Sequence, residues 1–324
     1  MNIAIRPYLP SDIDCWDFFC NRSLQGTLLH THLFLSYHKN RFSDCSLVIE
    51  QDGKIVGLFP AAKSLVDDGL VVSHPGATYG GLVHQGDLRG DRMLIALTLI
   101  QEYFSSLGFV KLLYKAVPIF YHQTPMQDDV YALFRMGARR VRCDITSVIN
   151  LKCRLPLSER RRRSLKKSLK AGVEIVEGSQ YFRRLWDILI ENLSRKHGAF
   201  PTHKLEEIEL LATRFPGKIR CICGVLGGEI QAGVVIFSSP TVDHAQYIAS
   251  SQVGYEAYVL DAVFEYCIKF SVQDDKQWFD FGISTENNGL FLNDGLYRFK
   301  SEFGAGSAIH EFYELDLEGK YAAQ

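Results

Sequence analysis

No apolar run in this 324-residue chain approaches the roughly 18 residues that a membrane span needs. Apolar stretches are broken by charge, as in Leu107 to Leu113, where Lys111 intervenes. The opening Met1-Asn-Ile-Ala-Ile-Arg-Pro has no signal-peptide h-region, and Asp12 and Asp14 follow early. Net charge is also missing: 36 Lys and Arg face 37 Asp and Glu, a formal −1. That balance argues against a whole-surface nucleic-acid binder, DNA included, but leaves room for one basic patch. The 8 cysteines form no C-x-x-C pair, and the tightest spacing, Cys221-x-Cys223, reads as one face of a strand. A structural zinc site is therefore not expected; reduced thiols in a cytoplasmic protein are. There is no Gly-x-Ser-x-Gly elbow and no papain-like cysteine, so covalent catalysis is not expected either.

What is present is a globular composition. Hydrophobic residues make up 47% and aromatics 12%, enough for a real core, and the length suggests two domains or one large one. Ile3 to Arg6 alternates as a strand, and Ser11 stands where an N-cap would start a helix carrying Ile13, Trp16 and Phe19. Cys45 to Glu50 and Gly57 to Ala62 are two strands joined through Asp52-Gly53, a hairpin signal. Arg92 to Leu107 has Leu94, Leu97, Ile100 and Phe104 at helical spacing and stops at Gly108, before a strand over Phe109 to Lys115.

The same order then recurs. Ile219 to Val225, a turn at Gly227-Gly228 and Ile230 to Ser238 form a second hairpin. A strand at His244, a helix over Tyr258 to Phe270 and a strand at Trp278 follow. The two hairpin turns lie about 175 residues apart, which is a whole-domain duplication with its boundary near Asn150. The predicted domains are 1–150 and 151–324, of class α+β (mixed α/β), each with a mixed, mostly antiparallel sheet flanked by helices. The second opens with a basic helix, Ser158-Glu-Arg-Arg-Arg-Arg-Ser-Leu-Lys-Lys-Ser-Leu-Lys, with Leu157, Leu165 and Leu169 at helical spacing and an end at Gly172.

The opening Ile3-Ala-Ile-Arg, the tandem repeat, the basic helix ending Leu169-Lys-Ala-Gly-Val, and the pair Phe279-Asp-Phe-Gly and Phe299-Lys-Ser-Glu-Phe-Gly resemble the FemAB-like branch of the GNAT acyltransferase superfamily. The resemblance covers nearly the whole chain. It implies two tandem GNAT-like domains and an acyltransferase that moves an acyl or aminoacyl group to an amine of a cell-envelope or polysaccharide precursor. The donor it implies is acyl-CoA or aminoacyl-tRNA, with no metal. The partners are that small-molecule donor and an amine acceptor on a nucleotide- or lipid-linked sugar, together with tRNA and a transient contact with a membrane surface. One departure stands out: the Arg/Gln-x-x-Gly-x-Gly/Ala turn that cradles the CoA pyrophosphate is intact in neither half. Thr78-Tyr-Gly-Gly-Leu-Val and Ser250-Ser-Gln-Val-Gly-Tyr-Glu-Ala stand in its place.

Direct transfer to an amine needs a proton acceptor, an oxyanion donor and cations for phosphates. The densest polar stretch follows the Trp278 strand and contains Asp280, Ser284, Glu286 and Asn293. There Asp280, Ser284 or Glu286 positions the acceptor, with Glu286 a candidate base and Asn293 a binding residue. Lys300 occupies the FemAB-like lysine position, which the resemblance assigns to substrate or to the transferred carbonyl. His244 and Gln246 share one strand face and Tyr247 the other, with His244 an alternative base. His203 is a further cleft candidate. In the first half, His74, Tyr79 and Gly80 belong to a glycine-rich loop whose N–H groups suit an anion. Arg161, in the basic helix, is the phosphate candidate. Two rival readings remain: a non-catalytic tandem-GNAT binding protein for an anionic nucleotide, and an RNA binder acting through the basic helix.

Overall fold

The structure, a computed structural model, describes residues 2–197 and 201–318. The chain starts with strand β1 (Ile3–Pro7) and helices α1 (Ile13–Arg22) and α2 (His32–Leu35). Six strands and two helices follow: β2 (Leu47–Gln51), β3 (Lys54–Phe59), β4 (Ala62–Lys63), β5 (Leu70–Val72), β6 (Val83–His84), α3 (Asp91–Ser106), β7 (Lys111–Lys115) and α4 (Asp128–Arg135). Then come β8 (Arg139–Asn150), the basic helix α5 (Glu159–Lys170), β9 (Glu174–Glu177), α6 (Phe182–His197) and α7 (Leu205–Arg214). The second hairpin is β10 (Ile219–Leu226) and β11 (Glu229–Ser238), continued by β12 (Val242–Ser250), α8 (Gln252–Glu256) and α9 (Val259–Gln273). The chain closes through β13 (Trp278–Ile283), β14 (Thr285–Glu286), β15 (Phe291–Leu292), α10 (Asp294–Ser301) and β16 (Gly306–Asp316).

Two compact units result. One runs to Asp144 and takes in Asn287–Phe291 and the chain from Ile309; the other holds Ile145–Glu286 and Leu292–Ala308. In the first, β1-β2-β3-β6 make an antiparallel sheet. Beside them in sequence, β4, β5, β7 and β16 form a mixed set in which β5 and β7 run parallel. Its core gathers Leu47, Ile49 and Phe59 around the buried face of α3, namely Leu97, Ile100 and Phe104. In the second unit the order is β8-β13-β12-β11-β10-β9, antiparallel throughout except for the parallel pair β12/β13. Its core packs Val263, Phe264 and Ile268 of α9 against Ile222, Val234, Ile236, Phe279 and Phe281. Both units therefore have a mixed sheet flanked by helices, with one parallel pair each.

Local chemistry explains most element ends. Asp52 and Gly53 sit at φ 50° and 76°, the left-handed turn that an Asp-Gly hairpin requires. Ser158 caps α5 by accepting the Arg161 N–H at 3.1 Å, and Gly172 ends it at φ 77°. One local expectation fails, and one helix face is not the one its leucines mark. Ser11 makes no cap: α1 begins at Ile13, and Asp12 is tied instead to the Leu9 N–H and the Arg6 guanidinium, so Ile13 stays 42% exposed. On α5 the leucine stripe is not the buried face. Leu169 is 74% exposed, whereas Arg161, Ser164 and Ser168 are buried.

Candidate active site

The parallel pairing of β12 and β13 runs over Val242–His244 against Trp278–Asp280 and ends there. The last pair brings two of the candidate residues together. His244 Nδ1 lies 2.8 Å from an Asp280 carboxylate oxygen. Asp280 is fully buried, with Phe279 and Phe281 packed on the opposite sheet face in the core against α9. Its other oxygen accepts the Thr146 hydroxyl at 2.5 Å and the Gly282 N–H at 2.9 Å. Since a carboxylate only accepts, Nδ1 must carry the proton, which leaves Nε2 as the lone-pair nitrogen of the neutral ring. Lys300, buried at 3% exposure, donates from Nζ to the carbonyls of Gly282 at 2.8 Å and Ile283 at 2.6 Å. Burial pushes its pKa down to about 8, against the opposing pull of Asp280.

A bulge corrects the face assignment on β12. The register with β11 shifts between Val235 and Ile236, leaving Gln246 as the extra residue. His244 pairs with Phe237 and Tyr247 with Val235, so His244 and Tyr247 share one face. Strict alternation along the strand predicts opposite faces. On that face the Tyr247 hydroxyl meets His203 Nδ1 at 2.5 Å and accepts the His203 N–H at 3.2 Å. The Trp186 ring lies 4.9 Å from Tyr247, and burial pushes the tyrosine pKa up to about 12.

Beyond Asp280, Ser284 is buried with its hydroxyl unpartnered among the described residues. Glu286 is exposed and accepts from Asn293 Nδ2 at 2.9 Å, while Asn293 caps α10 through the Leu296 N–H at 3.0 Å. The candidate bases thus separate: His244 is held by a buried carboxylate, and Glu286 lies on the surface.

A cleft of about 1120 Å³ opens between α5, the Ser250–Leu260 segment and α10. Arg160, Arg163, Lys167 and Arg298 line it, with Tyr255 and Tyr258 as aromatic walls. All four cations are exposed. Arg161 borders the cleft but is committed inward. Its guanidinium bonds Asp261 and reaches Glu302 at 2.9 Å, between the rings of Phe299 and Phe303 at 4.5 and 4.4 Å. The turn remnant is also engaged: the Ser251 hydroxyl takes the Gly254 N–H at 3.0 Å and so caps α8.

The first-unit candidates lie elsewhere. His74 is buried at φ 60°, and burial lowers its pKa to about 2. Its carbonyl and that of Ala77 take the buried Lys115 ammonium, which burial lowers to about 7. The Gly80 N–H is spent on the Lys115 carbonyl at 2.9 Å, and Tyr79 donates to the Thr27 hydroxyl at 3.2 Å. Sequence reasoning did not find Thr146, Asp261, Glu302 or Arg298. Thr146 has no motif around it and is 134 residues from Asp280, so only strand pairing exposes it.

Residues 158–301 match the acetyltransferase (GNAT) domain family. No curated protein matches the chain. Among solved structures it is similar to FemX, at a TM-score of 0.70 and 11% identity over 98% of this chain and 97% of that one. It is also similar to L-PGS from Bacillus licheniformis, at 0.63 and 13% over 94% and 91%. A tandem GNAT protein from the clavulanic acid biosynthesis pathway follows at 0.55 and 11% over 98% and 100%. Residues 158–301 are thus similar to the GNAT acetyltransferase domain, and the overall fold is similar to that of FemX and of the tandem GNAT protein.

Proposed function

We propose that this chain is a FemAB-like N-acyltransferase, cytoplasmic, that passes an acyl or aminoacyl group by direct attack to an amine of a cell-envelope or polysaccharide precursor, with the chemistry in residues 151–324. The observation that carries the reading is the parting of β12 from β13 at the hydrogen-bonded pair His244–Asp280, inside the segment that matches the GNAT domain. Past this pair, β12 from Ala245 to Ser250 has no β13 partner among the described residues. A strand edge of this kind accepts an extended ligand as an added strand.

The chain's own groups divide the work as follows. His244 Nε2 takes the proton as the amine nitrogen bonds to the donor carbonyl. Asp280 holds the ring's orientation and stabilises the imidazolium. When the tetrahedral intermediate collapses, the carbonyl–leaving-group bond breaks and the imidazolium returns the proton to the departing thiol or ribose oxygen. The donor's phosphates suit Arg160, Arg163, Lys167 and Arg298 in the cleft. Because Ser251 already fills the Gly254 N–H, the grip falls to side chains rather than to a backbone turn. That favours a polynucleotide donor, aminoacyl-tRNA, over acyl-CoA.

The test is transfer of radiolabel from charged tRNA, and separately from acyl-CoA, to a panel of amino sugars and peptidyl amines. Transfer by the wild type, reduced on the order of 10²–10⁴-fold in His244→Gln, is expected. No transfer from either donor, or full activity in His244→Gln, would overturn the reading.

A further inference from the structure

We propose that Lys300 is a positioning residue: by holding the carbonyls of Gly282 and Ile283, its ammonium sets the bulge in β13 that aims the Asp280 carboxylate at His244. The inference rests on the reading of His244 as proton acceptor and gives this lysine a role other than contact with the transferred carbonyl.

The backbone after Asp280 cannot continue as a regular strand. Asp280 pairs with Val148 of β8, but the next pair is Ile283 with Thr146, so β13 spends an extra residue over this stretch. Gly282 absorbs the change at φ 77°, a left-handed conformation that suits glycine. Successive carbonyls of a pleated strand point in opposite directions. Here the carbonyls of Gly282 and Ile283 converge on one nitrogen, which only the bulge permits. A compact ammonium with three rotatable donors can satisfy two such oxygens at once.

The consequence reaches the dyad through the neighbouring amide. With its carbonyl turned to Lys300, Gly282 turns its N–H to Asp280 Oδ1. Thr146 takes the same oxygen. Oδ2 is left for His244 Nδ1. A Cβ on Gly282 would lie 3.4 Å from His244 Cε1, so the bulge also packs directly against the imidazole. Lys300 is nearly sealed from solvent, and its hydrogen bonds among the described residues go to the backbone carbonyls of Gly282 and Ile283. Its hydrogen bonds thus order the backbone beside Asp280.

The tautomer of His244 reads this out without any substrate. In full-length protein carrying ¹⁵N-histidine, with His244 assigned by its loss in His244→Gln, the wild type should show the proton on Nδ1. A wild type that lacks it overturns the proposal. Lys300→Met keeps the length and removes the donors. A folded Lys300→Met protein that loses the Nδ1-proton resonance supports the proposal, and one that keeps it unchanged overturns it. Should Lys300→Met not fold, Lys300→Gln decides: retention of the Nδ1 proton with a neutral amide donor supports the proposal, and its loss overturns it. A failure to find transfer activity leaves these spectra unaffected, so the two readings fail separately.

Discussion

At the scale of single residues, commitment decides what a charge can do. Arg161 belongs to the cation run that pointed to an anionic partner, yet its guanidinium is buried between two phenylalanine rings and two carboxylates. Removing one member of a buried ion group leaves the others uncompensated, at about 3–5 kcal/mol. Arg161→Ala is therefore expected to lower the unfolding free energy read from a urea titration by that much, whereas Arg163→Ala, on an exposed position, should leave it nearly unchanged. Gly80 makes the same point without charge. A Cβ there would sit 1.9 Å from the Ser73 carbonyl oxygen, so the loop needs glycine to pass the backbone. Gly80→Ala should destabilise by on the order of 1–3 kcal/mol, read as a fall in thermal midpoint. Glycine at this point is a packing requirement, whatever the loop binds.

At the scale of elements, α5 and β12 each turn out differently from their sequence pattern, for stated reasons. The α5 leucines recur at helical spacing, but the face that meets α9 and α10 is the one carrying Arg161, Ser164 and Ser168, because buried Asp261 and half-buried Glu302 wait there. The flanking cations Arg160, Arg163 and Lys167 are left to the cleft. If they hold a polyanion, binding of unacylated tRNA should weaken steeply with salt, and Arg163→Ala with Lys167→Ala should each flatten the log–log slope by about 0.7–0.9. An unchanged slope would remove the helix from the binding surface. In β12 a single bulged residue, Gln246, converts an expected two-sided arrangement into one in which His244 and Tyr247 share a face. Bulges follow from pairing with a partner strand, so the residues of β12 alone do not announce one.

At the scale of the whole molecule, stability should depend on pH through buried neutral histidines. Burial holds His30, His84 and His122 down to about 4 and His74 to about 2. Unfolded histidine titrates near 6.5, so below that pH the unfolded chain binds more protons than the folded one. The histidine contribution is full well above pH 6.5 and falls as pH drops towards 4, by up to about 2 kcal/mol per histidine at pH 5. Asp129, raised to about 6 by burial, works in the opposite sense: the folded carboxyl keeps its proton where the unfolded one has lost it. His32 is lowered by burial as well, and Asp17 and Asp261 are raised; the large shifts of the four histidines outweigh the carboxyls and predict a lower thermal midpoint at pH 5 than at pH 7, and equal midpoints would contradict the buried-neutral assignment. Lys115, lowered to about 7, adds stability as pH rises from 7 towards 10.4. By itself the sequence determined the hairpin turns at Asp52-Gly53 and Gly227-Gly228, the Ser158 cap, the α3 core face and the mixed, duplicated architecture. These follow from interactions among residues a few positions apart, and each carries its signal locally. The tertiary structure alone decided which candidates meet. His244, Asp280, Thr146 and Lys300 come together through hydrogen bonds spanning as many as 134 residues, and Arg161 is withdrawn from the cleft by partners 100 and 141 residues away. Contacts of that span exist only once the strands have found their register, and no local pattern encodes them.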